Sequence, residues 1–250
     1  MAGSSATVSA HPTGLDGHPG TLAEPEVQAM FDRIAGLYDR MNTVMTAGLH
    51  RRWRQRAADV AALPRGGRAL DVATGTGDFA LELAARVGAS GEVVGCDFSE
   101  RMLELARVKG ARSGLPVRFE AGNALSLPYE DDCFDAVVVG FGARNFSDLR
   151  RGLAEMARVA RPGGRVVILE ITTATGPPLS YFLDLWFEVL IPALGRLVSQ
   201  GQAYSYLPSS VRRFPPPPQL AALMSEVGLS GVRWIQTAGG IIAIHVGTVA

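Results

Sequence analysis

The chain has 250 residues, 47% of them hydrophobic, enough to bury the core of one α/β domain. Its 24 Lys and Arg balance 24 Asp and Glu, so no basic surface argues for nucleic acid, and we expect none as a partner. The two cysteines, Cys96 and Cys133, and the four histidines, His11, His18, His50 and His245, show neither a disulfide framework nor metal-ligand spacing, so we expect a metal-free protein in a reducing, cytoplasmic compartment.

Residues 1–24 are rich in Ala, Gly, Ser, Pro and Thr and lack the cationic start and apolar block of a secretory signal; they read as a disordered tail. Residues 25–250 read as a single domain. Its first part, 26–59, is helical with a turn near Ala47 and Gly48, and forms an N-terminal cover over 25–60. Within it the cluster His50-Arg51-Arg52-Trp53-Arg54 reads as a solvated helix face. Strands are then expected at 68–73, 92–97, 117–121, 136–140 and 165–171. Helices are expected at 77–87, 99–111 and 148–160, the last stopped by Arg161-Pro162-Gly163-Gly164. This alternation predicts a mostly parallel sheet covered by helices on both faces. The most apolar run, 179–198, is interrupted by Asp184, Glu188, Pro192 and Arg196, and so falls short of the ~18 uninterrupted apolar residues of a membrane span. Helices at 177–199 and 219–227 make up a substrate cover inserted over 177–228. Strands at 232–237 and 241–249, around Ala238-Gly239-Gly240, close the chain as a hairpin whose last strand runs antiparallel.

The chemistry concentrates in the first strand–helix units. Gly75, Gly77 and Ala80 fit G-x-G-x-x-A after an apolar run and before a helical pattern. Such a turn brings backbone N–H groups and a helix N-terminus to an anionic group. Nicotinamide dinucleotides and S-adenosylmethionine are both bound this way. Asp97, with Phe98 beside it, ends the second strand about 20 residues on, where a carboxylate accepts both hydroxyls of a ribose diol in either cofactor. Asp71, just ahead of the turn, can brace the loop and help bind an amino-acid end, which a nicotinamide fingerprint does not need. Asn123 and Ala124, after the third strand, offer an amide and backbone groups to an adenine edge. Each feature has a plainer use: tight packing for the glycines, helix capping for the acid, a turn for Asn123. In this order and spacing they favour a methyl donor over a hydride donor, and a class I S-adenosylmethionine-dependent, Rossmann-like methyltransferase fold.

Beyond these cofactor motifs the chain resembles the C-methyltransferases of ubiquinone and menaquinone biosynthesis, the UbiE/MenG family. The resemblance runs over residues 27–247. It is carried by YDRMN at 38–42, GLHRRWR at 48–54, LDVATGTGD at 70–78, NALSLPY at 123–129, GFGARNF at 140–146, YSYLPSSVRRFP at 204–215 and GGIIAIHVG at 239–247. It implies cofactor contacts at Thr76, Asp97, Asn123 and Ala124. Some members carry a serine where this chain has Gly140, which leaves a backbone contact there. The implied reaction is ring-carbon methylation of a reduced polyprenyl naphthoquinol, demethylmenaquinol to menaquinol, with S-adenosylmethionine as cofactor. The benzoquinol of ubiquinone biosynthesis is the alternative acceptor. A nicotinamide-dependent oxidoreductase and a non-catalytic binding protein are further readings. For the chemistry, Arg144 would stabilise a phenolate and Asn145 would orient a hydroxyl or water. Tyr38 and His50, in the N-terminal cover, would relay a proton, and His245 reads as structural. Peripheral contact with the inner face of the cell membrane, where such a substrate resides, and a homodimer complete the expectations.

Overall fold

The computed structural model describes residues 23–172 and 201–250, with backbone only for 201–205. Most of the expected tail and the expected helix at 177–199 lie outside the described residues. Among the described residues, seven strands form one sheet: β1 (Arg68–Val72), β2 (Glu92–Asp97), β3 (Val117–Ala121), β4 (Phe134–Gly140), β5 (Ala160–Ile171), β6 (Leu229–Thr237) and β7 (Ile242–Val249). Their order is β3-β2-β1-β4-β5-β7-β6. The first five strands pair in parallel, and β7 runs antiparallel to both β5 and β6. The helices are α1 (Glu24–Met45), α2 (Leu49–Ala61), α3 (Asp78–Val87), α4 (Glu100–Ser113), α5 (Leu149–Val159), α6 (Gly201–Arg213) and α7 (Pro217–Glu226).

The β-branched runs bury both faces because successive side chains alternate across a strand. Val93, Val138 and Val167 join Ala57, Leu83 and Leu103 beneath α2, α3 and α4. Val94, Val137 and Ile168 join Leu153, Met156, Leu220 and Met224 beneath α5 and α7. The capping residues fix where helices begin. Ser99 Oγ accepts the Met102 N–H at 3.1 Å, and Asp148 Oδ1 accepts the Arg151 N–H at 2.9 Å. The turn between α1 and α2 falls where expected, with Ala47 and Gly48 at φ +47° and +77°.

Three expectations need correction. Arg161-Pro162-Gly163-Gly164 follows the end of the helix as expected but lies inside the next strand instead of preceding it. α5 stops at Val159, and β5 already includes the segment as an irregularity against Phe134 and Ala136. Gly163, at φ +77°, takes a backbone angle that other residues avoid, and a Cβ on Gly164 would meet the Arg161 carbonyl at 2.7 Å. Second, β6 starts at Leu229, earlier than expected, because its register shifts between Ser230 and Arg233 around Gly231 at φ +58°. Third, the basic cluster on α2 is not a solvated face. His50 and Arg54, one turn apart, point inward at 3% and 6% exposure, while Arg51 and Arg52 are exposed. The C-terminal ends of β1, β2 and β4 therefore gather Asp71, Asp97 and Gly140 at one edge of the sheet. α1 and α2 lie over that edge.

Candidate active site

The loop from β1 to α3 is held in an unusual backbone path. Ala73, Gly75 and Gly77 all have positive φ, at +53°, +56° and +86°. Two buried carboxylates fix that path. Thr74 Oγ1 donates to Asp71 Oδ2 at 2.6 Å, and the Gly75 N–H donates to Asp97 Oδ2 at 2.7 Å. Asp97 Oδ1 accepts the Ser99 N–H at 2.9 Å. Each oxygen of a carboxylate has two acceptor positions, so Asp97 keeps capacity for hydroxyls on its cavity side. Burial pushes Asp97 up to about 6, against the pull of the Ser99 and Gly75 N–H groups. Burial likewise pushes Asp71 up to about 7, opposed by Thr74 and Arg54. Asp71 Oδ1 is buried with no hydrogen-bond partner among the described residues.

Two cavities open beside this loop. The smaller, about 70 Å³, is walled by Ala73, Gly75, Asp97, Phe98, Met102 and the 122–125 turn, and reaches Gly140 and Asn145. The larger, about 370 Å³, lies under α1, α2 and α6, with Met30, Ile34, Leu37, Met41, Trp53 and Ile241 in its wall. Phe31, Tyr38, Phe141 and Asn145 line both. The cavities are therefore neighbours across one layer of side chains.

The expected cofactor residues divide. Gly75, Asp97, Phe98, Asn123, Ala124 and Gly140 all line the smaller cavity. A Cβ on Gly75 would meet nothing nearer than Tyr38 Cε1 at 3.8 Å, so this glycine faces open space. Asn123 takes part with less of its side chain than expected. Its Oδ1 accepts the Leu125 N–H at 2.8 Å and its Nδ2 donates to Glu24 at 3.0 Å, so the amide closes its own turn. Thr76 and Gly77 are not in the cavity wall. Thr76 Oγ1 donates to Asp39 Oδ1 at 2.6 Å and accepts from Lys109 at 2.9 Å. Gly77 turns toward α4 and β3, where a Cβ would stand 2.7 Å from Phe119 Cζ. Its lack of a side chain serves packing against Phe119 and Ala106. Gly140 is bound by the same rule, since a Cβ there would meet Phe79 at 2.7 Å. Asp71 is sealed beneath the loop and acts there as a brace.

Sequence reasoning missed the polar strap along α1. Glu24 bonds Asn123 and Ser147, Gln28 Nε2 donates to the Phe98 carbonyl at 2.7 Å, and Ser99 Oγ donates to Asp32 at 2.5 Å. Farther along, Asp39 meets Thr76 and Lys109, and Lys109 also holds Asp78 at 2.6 Å. α1 is thus fastened over the smaller cavity at four strand-end loops, and that cavity is narrower than the ~300–1,000 Å³ of most ligand sites.

The remaining candidates meet in the larger cavity. Tyr38, His50, Arg144 and Asn145 all line it. Arg144 Nη1 pairs with Glu170 Oε1 at 2.8 Å and donates to the Phe141 carbonyl at 2.5 Å. The Arg144 and Glu170 side chains are 9% and 2% exposed, so this is a buried ion pair. Glu170 was also missed, although an acid inside the β-branched run of β5 signals a buried partner. Asn145 Oδ1 is buried and has no hydrogen-bond partner among the described residues. His245 is structural: Nε2 lies 3.0 Å from the Pro217 carbonyl, its ring stacks on Trp234, and burial pushes it down to about 4.

A sheet of this order, closed by an antiparallel strand and carrying a positive-φ glycine loop against a strand-end carboxylate, defines the S-adenosylmethionine-dependent methyltransferases. The fold matches the crystal structure of a SAM-dependent methyltransferase from Aquifex aeolicus with a TM-score of 0.59 at 20% identity, over 79% of this chain and 89% of that one. The model of the ubiE/COQ5 methyltransferase family matches residues 20–249, and the chain belongs to that family. It is 47% identical to a demethylmenaquinone methyltransferase of Deinococcus radiodurans, over 88% of this chain and 91% of the relative. It is 42% identical to a ubiquinone/menaquinone biosynthesis C-methyltransferase UbiE of Geobacter sp., over 89% and 95%. S-adenosylmethionine is the cofactor, and the smaller cavity's donor set suits it. Asp97 offers acceptors to a diol, Gly75 leaves room for close approach, and Phe98, Met102, Ala124 and Leu125 give apolar walls to a base.

Two predictions follow from this geometry. Gly77→Ala should lower stability by about 1–3 kcal/mol through overpacking and a strained φ, read as a fall in Tm. Trimming the obstacle in Gly77→Ala/Phe119→Leu should recover part of that loss. Separately, S-adenosylhomocysteine affinity should fall as pH drops through about 6, because a protonated Asp97 loses acceptor capacity. Calorimetry on Asp97→Asn should show binding weaker by about 1.5–3 kcal/mol at neutral pH and a flattened pH dependence. Asp71→Asn should retain the inflection near pH 6.

Proposed function

We propose that the protein methylates a ring carbon of a demethylated polyprenyl naphthoquinol, converting demethylmenaquinol to menaquinol. One observation carries this reading: the small cavity beside Gly75 and Asp97 and a large apolar cavity share Phe31, Tyr38, Phe141 and Asn145. A donor on one side and a ring on the other are thereby within reach. When bound, the cofactor supplies an electrophilic methyl group on a sulfonium.

The chain's own residues do the rest. The apolar walls exclude water, which favours an anionic ring carbon meeting a cation, since charge is neutralised as the bond forms. Asn145 Oδ1, without a partner among the described residues, accepts a ring hydroxyl and sets the ring's rotation. Arg144 places positive charge beside the oxygen that becomes negative, and Glu170 fixes its orientation. The names of the Deinococcus and Geobacter relatives support this substrate class, and the second of them also supports a benzoquinol acceptor. α1 and α2, over 24–61, form the cover of this site. Val44 and Leu49, 65% and 42% exposed, rim the larger cavity next to the exposed Arg51 and Arg52. Apolar side chains beside cations suit the surface of the membrane that holds a polyprenyl tail. No described helix is long and apolar enough to cross a membrane.

The test is anaerobic turnover of demethylated polyprenyl naphthoquinol, the matching quinone, and a demethylated benzoquinol, with products identified by mass spectrometry. Carbon methylation of the naphthoquinol and none of the quinone is expected. A methylated benzoquinol in greater yield would move the assignment to the alternative. A second prediction concerns Arg144. Arg144→Ala should destabilise by about 3–5 kcal/mol, because it strands the Glu170 carboxylate in the interior. Arg144→Met/Glu170→Gln should recover most of the stability while leaving turnover low, which separates the chemical role from the structural one.

A further inference from the structure

The first turns of the α1–α2 corner hold a hydrogen-bonded chain that ends at the larger cavity. Thr46 Oγ1 lies 2.6 Å from the Asn42 carbonyl and 2.7 Å from His50 Nδ1. Two oxygens at that separation need a proton between them, and the carbonyl has none to give. The single hydroxyl proton of Thr46 therefore points to Asn42. The lone pairs of Thr46 Oγ1 then face His50, so Nδ1 must carry the ring proton. The His50 backbone N–H, 3.4 Å from the same oxygen, approaches it as a second donor. In the neutral ring this leaves Nε2 with a bare lone pair. Nε2 has no hydrogen-bond partner among the described residues, and His50 lines the larger cavity.

We infer that His50 Nε2 is the base that takes the hydroxyl proton of the quinol, and that Thr46 is a positioning residue that fixes the reactive tautomer. This rests on the quinol reading above. The O–H bond of the quinol breaks, an N–H bond forms at Nε2, and the electron pair stays on oxygen, where the ring conjugates it to the adjacent carbon. The resulting imidazolium donates from Nδ1 to Thr46, whose own proton remains on Asn42. After the carbon is methylated, its C–H proton leaves for solvent and the electron pair returns to the ring oxygen. His50 then gives its proton back to that oxygen. One proton is released per turnover, and His50 ends as it began.

The surroundings keep the ring neutral at rest. Burial, then Arg54, hold His50 below its usual 6.5, and Arg51 adds to this from the same helix. Asp78 at the start of α3 and Asp39 on α1 pull the other way and lose. A base of this kind works above its pKa, so turnover should fall on the acid side, below pH 6.5.

The experiment combines single-turnover rates against pH, at saturating cofactor under reducing conditions, with ¹⁵N NMR of ring-labelled His50. Wild type should show the Nδ1–H tautomer with Nε2 unprotonated at pH 8. His50→Asn should lose turnover by about 10²-fold or more, as for removal of a general base, and should lose the acid limb while binding S-adenosylhomocysteine as before. Thr46→Val should slow turnover and abolish the tautomer preference, and Thr46→Ser should restore both. An Nε2–H tautomer in wild type, or His50→Asn that keeps the wild-type rate and acid limb, would overturn the assignment. If wild type itself leaves the quinol unmethylated, the underlying substrate reading fails instead, a result distinct from an active His50→Asn.

Discussion

The site depends on one hydrogen bond, from the Gly75 N–H to the Asp97 carboxylate at 2.7 Å. It joins the loop after β1 to the end of β2, strands that are already neighbours in the sheet. The loop can reach that position only with positive φ at Ala73, Gly75 and Gly77, an arrangement that strains an alanine and that neighbouring bonds must hold. Asp71 below and Asp97 beside it supply that constraint. Gly75 is left facing open space, and Asp97 keeps acceptor positions for a ligand.

This arrangement is expensive in electrostatic terms. Asp71 and Asp97 are both buried, and desolvation raises both. The larger cavity carries a similar load in the Arg144–Glu170 pair, in His50 and in the unpartnered Asn145 Oδ1. Polar groups concentrated at the meeting of two otherwise apolar cavities are poor for stability and suited to a reaction in which charge is neutralised without water. The strap of α1 contacts gives the same site a cover built from polar side chains, exposed at Glu24 and part-buried at Gln28, Asp32 and Asp39.

Much of this was legible in the sequence, for physical reasons. The strand runs announced a parallel sheet because both faces had to be buried, and the spacing from Gly75 to Asp97 is fixed by one strand–helix–strand unit. What spacing could not give is the direction of each Cβ on a loop with alternating φ signs. Gly75 and Gly77 look equivalent in the motif, yet one faces the cavity and the other Phe119. The resemblance implies a cofactor contact at Thr76, and spacing could not show that its hydroxyl also bonds Asp39 in a distant helix. For Asn123 the sequence offers both an adenine contact and a turn, and its Oδ1 closes the turn. The inward pair His50 and Arg54 was readable from one-turn spacing, but Arg51 and Arg52 beside them made the segment look solvated. Glu170 carried its own signal, an acid in a strand with no exposed face.

The claim that matters most is that donor and acceptor meet across the layer of Phe31, Tyr38, Phe141 and Asn145. A crystal structure with S-adenosylhomocysteine and a short-chain demethylated naphthoquinol tests it directly. The ribose should lie on Asp97 and the ring in the larger cavity with a hydroxyl at Asn145, a ring carbon facing the sulfur with space for a methyl and reacting atoms about 3–3.5 Å apart. A ring bound outside that cavity, or one whose carbons are screened from the sulfur by Tyr38 or Phe141, would contradict it.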